Sequence, residues 1–247
     1  MASDWFRRFA TTPGSGVRLF CFPHAGGAAG AYLALSRRLA PEFDVLAAQY
    51  PGRQDRRDEP PLEDVGSLVE ALADQLKPLC DDGRPYAFLG HSMGALLAYE
   101  LTRALDGRGL PGPRHLFLSG RSAPARHATG TDLLDTDEKI LARIRLLGGT
   151  AGEILDEPEL MELVMPPLRA DYRALRSYAW QPGPPLRTPL TVLVGDSDPV
   201  VPVEAAAAWR EHTTAGSDLR VLPGGHFYLD HHTDAVAGII RTRLEAV

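Results

Sequence analysis

The chain has 247 residues, 44% hydrophobic and 23% charged, with 24 Gly and 21 Pro; this balance excludes disorder and fibrous repeats, and fits one globular domain burying about three quarters of its unfolded surface. The 26 basic and 32 acidic residues leave a net charge of −6, which excludes a nucleic-acid binder, because neutralising phosphates takes a concentrated positive field. The first twenty residues hold no continuous apolar run of signal type, and no later run is long enough to span a bilayer, so a cytoplasmic chain with no membrane contact is expected.

In chain order, short apolar runs alternate with helical patterns. Runs at Val17–Phe22, 43–50, 85–90, 115–119, Leu190–Gly195 and 219–222 read as buried strands. Cys21, inside the first run, reads as a reduced and inert thiol. Helical patterns at 31–40, 65–76, 93–105, 203–211 and 235–244 fill the gaps. In the second of these, Val65, Leu68, Val69, Leu72 and Leu76 recur every three or four residues, one face of a helix. Strands alternating with helices predict an α/β fold, a mostly parallel sheet flanked by helices on both faces.

The alternation breaks once, between 124 and 185. Asp135-Thr136-Asp137-Glu138 has the spacing of a capping box before Ile140, Leu141, Ile144 and Leu147. A short helix around 158–165 is expected to stop at Pro166-Pro167, and Leu168, Tyr172, Leu175 and Ala179 mark one face of a third. A helical block inserted between two parallel strands predicts a lid over the strands' C-terminal ends. Residues 1–123 and 186–247 are therefore assigned to the core, and 124–185 to the lid.

Gly90-His91-Ser92-Met93-Gly94 has the form G-x-S-x-G and sits between an apolar strand and a helical run. A serine at such a turn adopts strained backbone angles and projects its hydroxyl beside a helix N-terminus, which favours developing negative charge. A neutral hydroxyl is a poor nucleophile and needs a base, itself oriented by a third group. Both are expected later in the chain, at strand ends. His226, in Gly224-Gly225-His226-Phe227, is the candidate base; Asp196 and Asp198, in the segment GDSDP, both stand where the acid belongs. After the first strand, Pro23-His24-Ala25-Gly26-Gly27 lacks the G-x-G-x-x-G spacing of a dinucleotide loop. Its small residues suit a backbone N–H approaching a substrate carbonyl, so the Ala25 and Met93 N–H groups are the candidate oxyanion hole.

The series FPHAGG, YPGR (50–53), GHSMG, PLRADYRALRSY (167–178), GDSDP and GGHFYL, in this order over nearly the whole chain, resembles the type II thioesterases of polyketide synthase and nonribosomal peptide synthetase pathways. The resemblance implies an α/β-hydrolase with a helical lid. It implies hydrolysis of stalled or misprimed acyl thioesters on the phosphopantetheine arm of acyl or peptidyl carrier proteins, without metal or other cofactor, by a monomer. Carried over by motif, Ser92, Asp198 and His226 are the triad, with Ala25 and Met93 at the oxyanion hole and Asp196 capping the turn. Arg53 and Asp171 also match family positions, where a structural role as loop anchor and lid packing is favoured over substrate contact. A small-ester carboxylesterase or lipase of the same fold, and a non-hydrolytic binding partner, are the competing readings.

Overall fold

A computed structural model describes residues 4–10, 16–126, 134–148 and 158–245. Its strands are β1 (Phe6–Arg7), β2 (Val17–Phe22), β3 (Phe43–Ala48), β4 (Tyr86–His91), β5 (Leu116–Ser119), β6 (Leu190–Gly195) and β7 (Ser217–Leu222). The principal helices are α1 (Leu33–Leu39), α2 (Val65–Cys80), α3 (Met93–Gly107), α4 (Asp137–Leu147), α5 (Pro158–Ser177) and α6 (Thr233–Leu244). The strands form one sheet in the order β1-β3-β2-β4-β5-β6-β7. Only β1 runs antiparallel to its neighbour, pairing Phe6 with Ala48; the other six are parallel.

Side chains alternate across each strand, so β2 sends Leu19 and Cys21 to one face and Phe20 and Phe22 to the other. Leu35 and Leu39 of α1 and Val236 and Ile240 of α6 pack on the first face. On the second, the stripe Val65, Leu68, Val69, Leu72 and Leu76 of α2 packs beside α3. The Asp64 carboxylate starts α2 by accepting the Ser67 N–H at 2.7 Å, a cap worth about 1 kcal/mol. With both faces covered, the central strands read as continuous apolar runs. Cys21 is wholly buried, and burial raises its thiol's pKa, which disfavours the reactive thiolate. Among the described residues no helix is long and apolar enough to cross a membrane.

Two expectations change, and one strand goes unread. β1 has only two residues, too few to show a period, and escapes sequence reading. Thr136 rather than Asp135 caps α4, its hydroxyl accepting the Lys139 N–H at 3.4 Å, while the Asp135 carboxylate takes the Lys139 ammonium at 2.6 Å. The helix expected to stop at Pro166-Pro167 instead runs through both prolines as the single helix α5. Each interior proline removes a hydrogen bond and crowds the preceding turn, at a cost of about 3 kcal/mol. The apolar stripe explains the outcome, because Met161, Met165, Leu168, Tyr172 and Leu175 stay in phase across the prolines and pack into one core with Leu96, Phe22 and Tyr50. That burial holds the helix together. Ile140 and Ile144 of α4 join the same core.

The sheet also buries a histidine away from its C-terminal edge. His115 shares a 2.8 Å hydrogen bond between its Nε2 and Thr191 Oγ1, and burial, then the nearby Arg243, lowers its pKa from 6.5 to about 4. Folding keeps this imidazole neutral, so below pH 6.5 the unfolded chain binds more protons. The stability it confers is complete above pH 6.5 and is lost as pH falls toward 4. At pH 5 the loss is about 2 kcal/mol. In urea titrations at pH 7.5 and 5, His115→Gln should narrow the gap in unfolding free energy by about that amount; an unchanged gap contradicts the assignment.

Candidate active site

Ser92 joins β4 to α3 with φ 56° and ψ −114°, a backbone conformation that non-glycine residues seldom adopt. The sequence around it forces this geometry. A Cβ on Gly90 would lie 2.0 Å from the Gly94 carbonyl oxygen, and one on Gly94 would lie 1.8 Å from that of Phe22. The two glycines of G-x-S-x-G therefore let α3 start against β4 and β2 at a separation no side chain permits. The Ser92 N–H is tied to the Ser119 carbonyl at 2.8 Å. Its side chain, although at the N-cap, makes no capping hydrogen bond. Met93 follows as the first residue of α3, where a helix leaves its N–H groups without intrahelical partners.

Ser92 lines a cavity of about 390 Å³ together with Ala25, His226 and, from α4 and α5, Ile144, Val164 and Leu168. His226 Nδ1 lies 2.7 Å from Asp198 Oδ2. Asp198 has no solvent-exposed side-chain surface, and its other oxygen accepts the N–H groups of Val200 at 2.9 Å and Val201 at 3.1 Å. These bonds fix the carboxylate and, through it, the imidazole, leaving Nε2 as the ring nitrogen not committed to Asp198. Asp196 does something else: its Oδ1 accepts the Gly224 N–H at 2.9 Å, pinning the loop that carries His226 to the end of β6. The structure thus brings Ser92, His226 and Ala25 to one cavity and Asp198 behind it, and holds Asp196 at a turn.

Two further histidines flank His226. The His91 ring centre is 5.0 Å from that of His226, and the His24 ring centre 5.9 Å from that of His91. His91 Nδ1 begins a hydrogen-bonded chain through Ser119 Oγ, at 2.9 Å, to the Tyr228 hydroxyl, at 2.5 Å. Burial, reinforced by His226, pushes His24 down to about 4 and holds His91 well below the usual histidine range. Near neutral pH both rings are uncharged; His91 packs against His226, and His24 against His91 and Phe227.

The Ala25 loop is held from a distance. Arg53 and Asp171 form a two-pronged ion pair, both N···O distances 2.9 Å, with side chains 4% and 0% exposed. One Asp171 oxygen also accepts the Gly26 N–H at 2.7 Å, and Arg53 donates to the Gly27 carbonyl at 2.9 Å. α5 is thereby fastened to the loop next to Ala25. Sequence reading marks both residues as anchors but not as partners, since they stand 118 positions apart. Among the described residues no group of three or more His, Cys, Asp or Glu side chains is placed to hold a metal ion. Asp171→Ala leaves a buried guanidinium unpaired and should cost about 3–5 kcal/mol in urea unfolding. Arg53→Met combined with Asp171→Ala should recover part of that loss; a double variant as unstable as the two single losses summed contradicts the pairing.

The family model described as "Thioesterase domain" matches residues 17–244. The "Probable cadicidin biosynthesis thioesterase" of Streptomyces griseus is 46% identical over 235 residues, 95% of this chain and 64% of that protein, so this chain spans less than two thirds of that relative. "Thioesterase PikA5" of Streptomyces venezuelae is 42% identical over 240 residues, 97% of this chain and 85% of its own length. Among solved structures, the type II thioesterase BorB from the borrelidin biosynthetic cluster aligns with a TM-score of 0.85 and 44% identity over 99% of both chains. The mostly parallel sheet with flanking helices is that of the α/β hydrolases. With its serine elbow, its paired histidine and aspartate, and a family match running from β2 to the end of α6, the chain belongs to the thioesterase domain family.

Proposed function

We propose that this chain hydrolyses acyl thioesters on the phosphopantetheine arm of acyl or peptidyl carrier proteins, clearing stalled or misprimed units in polyketide or nonribosomal peptide biosynthesis in the cytoplasm. The observation that carries this reading is the strained Ser92 elbow opening into the same cavity as His226, whose Nδ1 is held by the buried Asp198. The relatives named as thioesterases, one of cadicidin biosynthesis and one, of type II, from the borrelidin biosynthetic cluster, support the choice of substrate class.

In the first half-reaction His226 Nε2 takes the Ser92 proton while Oγ attacks the thioester carbonyl carbon. The Ala25 and Met93 N–H groups receive the oxyanion; one such donor typically contributes about 3 kcal/mol to lowering the barrier. The C–S bond then breaks, and the sulfur leaves with the proton from His226. A thiol, with a pKa near 8.5, needs less acid assistance than an amine would. In the second half-reaction His226 takes a proton from water, hydroxide adds to the ester carbonyl, and Ser92 recovers its proton as the carboxylic acid departs. Asp198 stabilises the imidazolium formed in both halves.

The segment 124–185 acts as the lid. Its Ile144, Leu147, Val164 and Leu168 give the acyl group an aliphatic wall, where exclusion of water strengthens the electrostatic contacts. No metal or other cofactor takes part. Net charge −6 gives no global attraction for an acidic carrier, so docking rests on local contacts.

The test offers propionyl-loaded carrier protein, propionyl-coenzyme A and a nitrophenyl ester to the purified chain. Release from the carrier with the highest kcat/KM supports the reading; turnover of the ester alone, or of nothing, overturns it. Ser92→Ala and His226→Ala should lower kcat/KM at least about 10³-fold with an unchanged melting temperature, and Asp198→Asn by about 10⁴-fold. Asp196→Asn should be the milder change. The reverse order for the two aspartates contradicts the triad assignment.

A further inference from the structure

Among the described residues only two that are not glycine have positive φ, Ser92 at 56° and Gln54 at 51°, and both line the same cavity. Strained conformations of this kind persist where surrounding contacts over-determine them, and they cluster at functional sites. For Gln54 those contacts can be read atom by atom. The buried Gln49 accepts the Ala29 N–H on Oε1 at 2.8 Å, so its amide NH2 points the other way. That NH2 donates to the Arg53 carbonyl at 3.3 Å and Asp55 Oδ1 at 3.0 Å, and also reaches Gln54 Oε1 at 3.3 Å. Both ends of the Gln49 amide are thus assigned, and the orientation of Gln54 follows: its oxygen faces Gln49, which leaves Nε2, with its two N–H donors, as the end of the exposed Gln54 amide still open to a partner at the rim of the cavity this residue lines.

The charge around this donor narrows what it can bind. Among the described residues no lysine or arginine lines the cavity, and the buried guanidinium of Arg53 is matched by Asp171. A carboxylate would therefore enter without a cation to meet it, whereas an uncharged carbonyl oxygen needs only the N–H donor. We propose that Gln54 is a specificity-determining residue that donates an amide N–H to an uncharged carbonyl of the substrate, away from the scissile bond. Such a carbonyl is available from an amide of the pantetheine arm or from a keto group on the acyl chain. The inference rests on the thioesterase reading of the same cavity.

Three synthetic thioesters separate the possibilities. Propionyl-pantetheine carries arm amides, S-ethyl 3-oxobutanethioate carries an acyl keto group, and S-ethyl propanethioate carries neither. Gln54→Glu keeps an oxygen for Gln49 and removes the donors; Gln54→Leu removes both and guards against an effect of the new charge. In both variants the kcat/KM ratio of one carbonyl-bearing substrate over S-ethyl propanethioate should fall about tenfold, mostly through KM, because the contact lies away from the reacting bond. A fall with propionyl-pantetheine identifies the arm, and a fall with the keto substrate identifies the acyl chain. Ratios unchanged for both overturn the proposal. Should the unaltered chain hydrolyse none of the three, the thioesterase reading fails first and this inference with it.

Discussion

The Asp171 carboxylate fastens α5 to the loops that follow β2 and β3. It has no exposed surface, receives both prongs of the Arg53 guanidinium and takes the Gly26 N–H as well. Burying two charges costs several kcal/mol per ion, offset here by the two-pronged pairing and the bonds to Gly26 and Gly27, although Arg53 Nε is buried without a hydrogen-bond partner. The consequence is directional. The C-terminal half of α5 cannot leave the core without stranding a buried guanidinium, so the loop carrying Ala25 keeps its place beside Ser92. Leu168, one turn earlier on α5, sits so close to Gly26 that a Cβ there would lie 2.5 Å from its side chain. The same helix thus shapes the loop by charge and by contact.

The rest of the site follows from parallel strands ending at one edge. β4 delivers Ser92, β2 the Ala25 loop, β6 the two aspartates and β7 the loop of His226. Close backbone passage makes this convergence possible. Gly90 and Gly94 admit the start of α3, and Gly195 does the same for the His226 loop, since a Cβ there would lie 2.3 Å from the Gly224 carbonyl oxygen. Asp196 then ties that loop from below, and Asp198 orients the imidazole from behind. Two aspartates separated by one serine therefore hold different parts of the loop that carries His226.

Much of this was legible in the residues. Strands covered on both faces leave continuous apolar runs, and α2 leaves a clean three-four stripe. The G-x-S-x-G string announces its own backbone problem, so Ser92 was readable together with the glycines that permit it. The choice between Asp196 and Asp198 was not readable from spacing, because both follow the same strand; what separates them is that the Asp198 carboxylate meets the His226 imidazole, whereas the Asp196 carboxylate accepts the Gly224 backbone N–H. The path of α5 defeated the proline rule because its buried stripe continued in phase across Pro166 and Pro167. Arg53 and Asp171 could not be paired by inspection among 26 basic and 32 acidic side chains. The donor orientation of Gln54 depends on a neighbour's hydrogen bonds, which no local pattern encodes.

The proposed reaction passes the acyl group through Ser92. Rapid mixing with propionyl-loaded carrier protein, acid quenching and mass mapping of the peptide that contains Ser92 tests it directly. The account predicts a propionyl ester on Ser92, formed together with release of one carrier thiol per active chain before steady turnover begins. Thiol release with the acyl group on another residue, or with Ser92 never acylated, would contradict it.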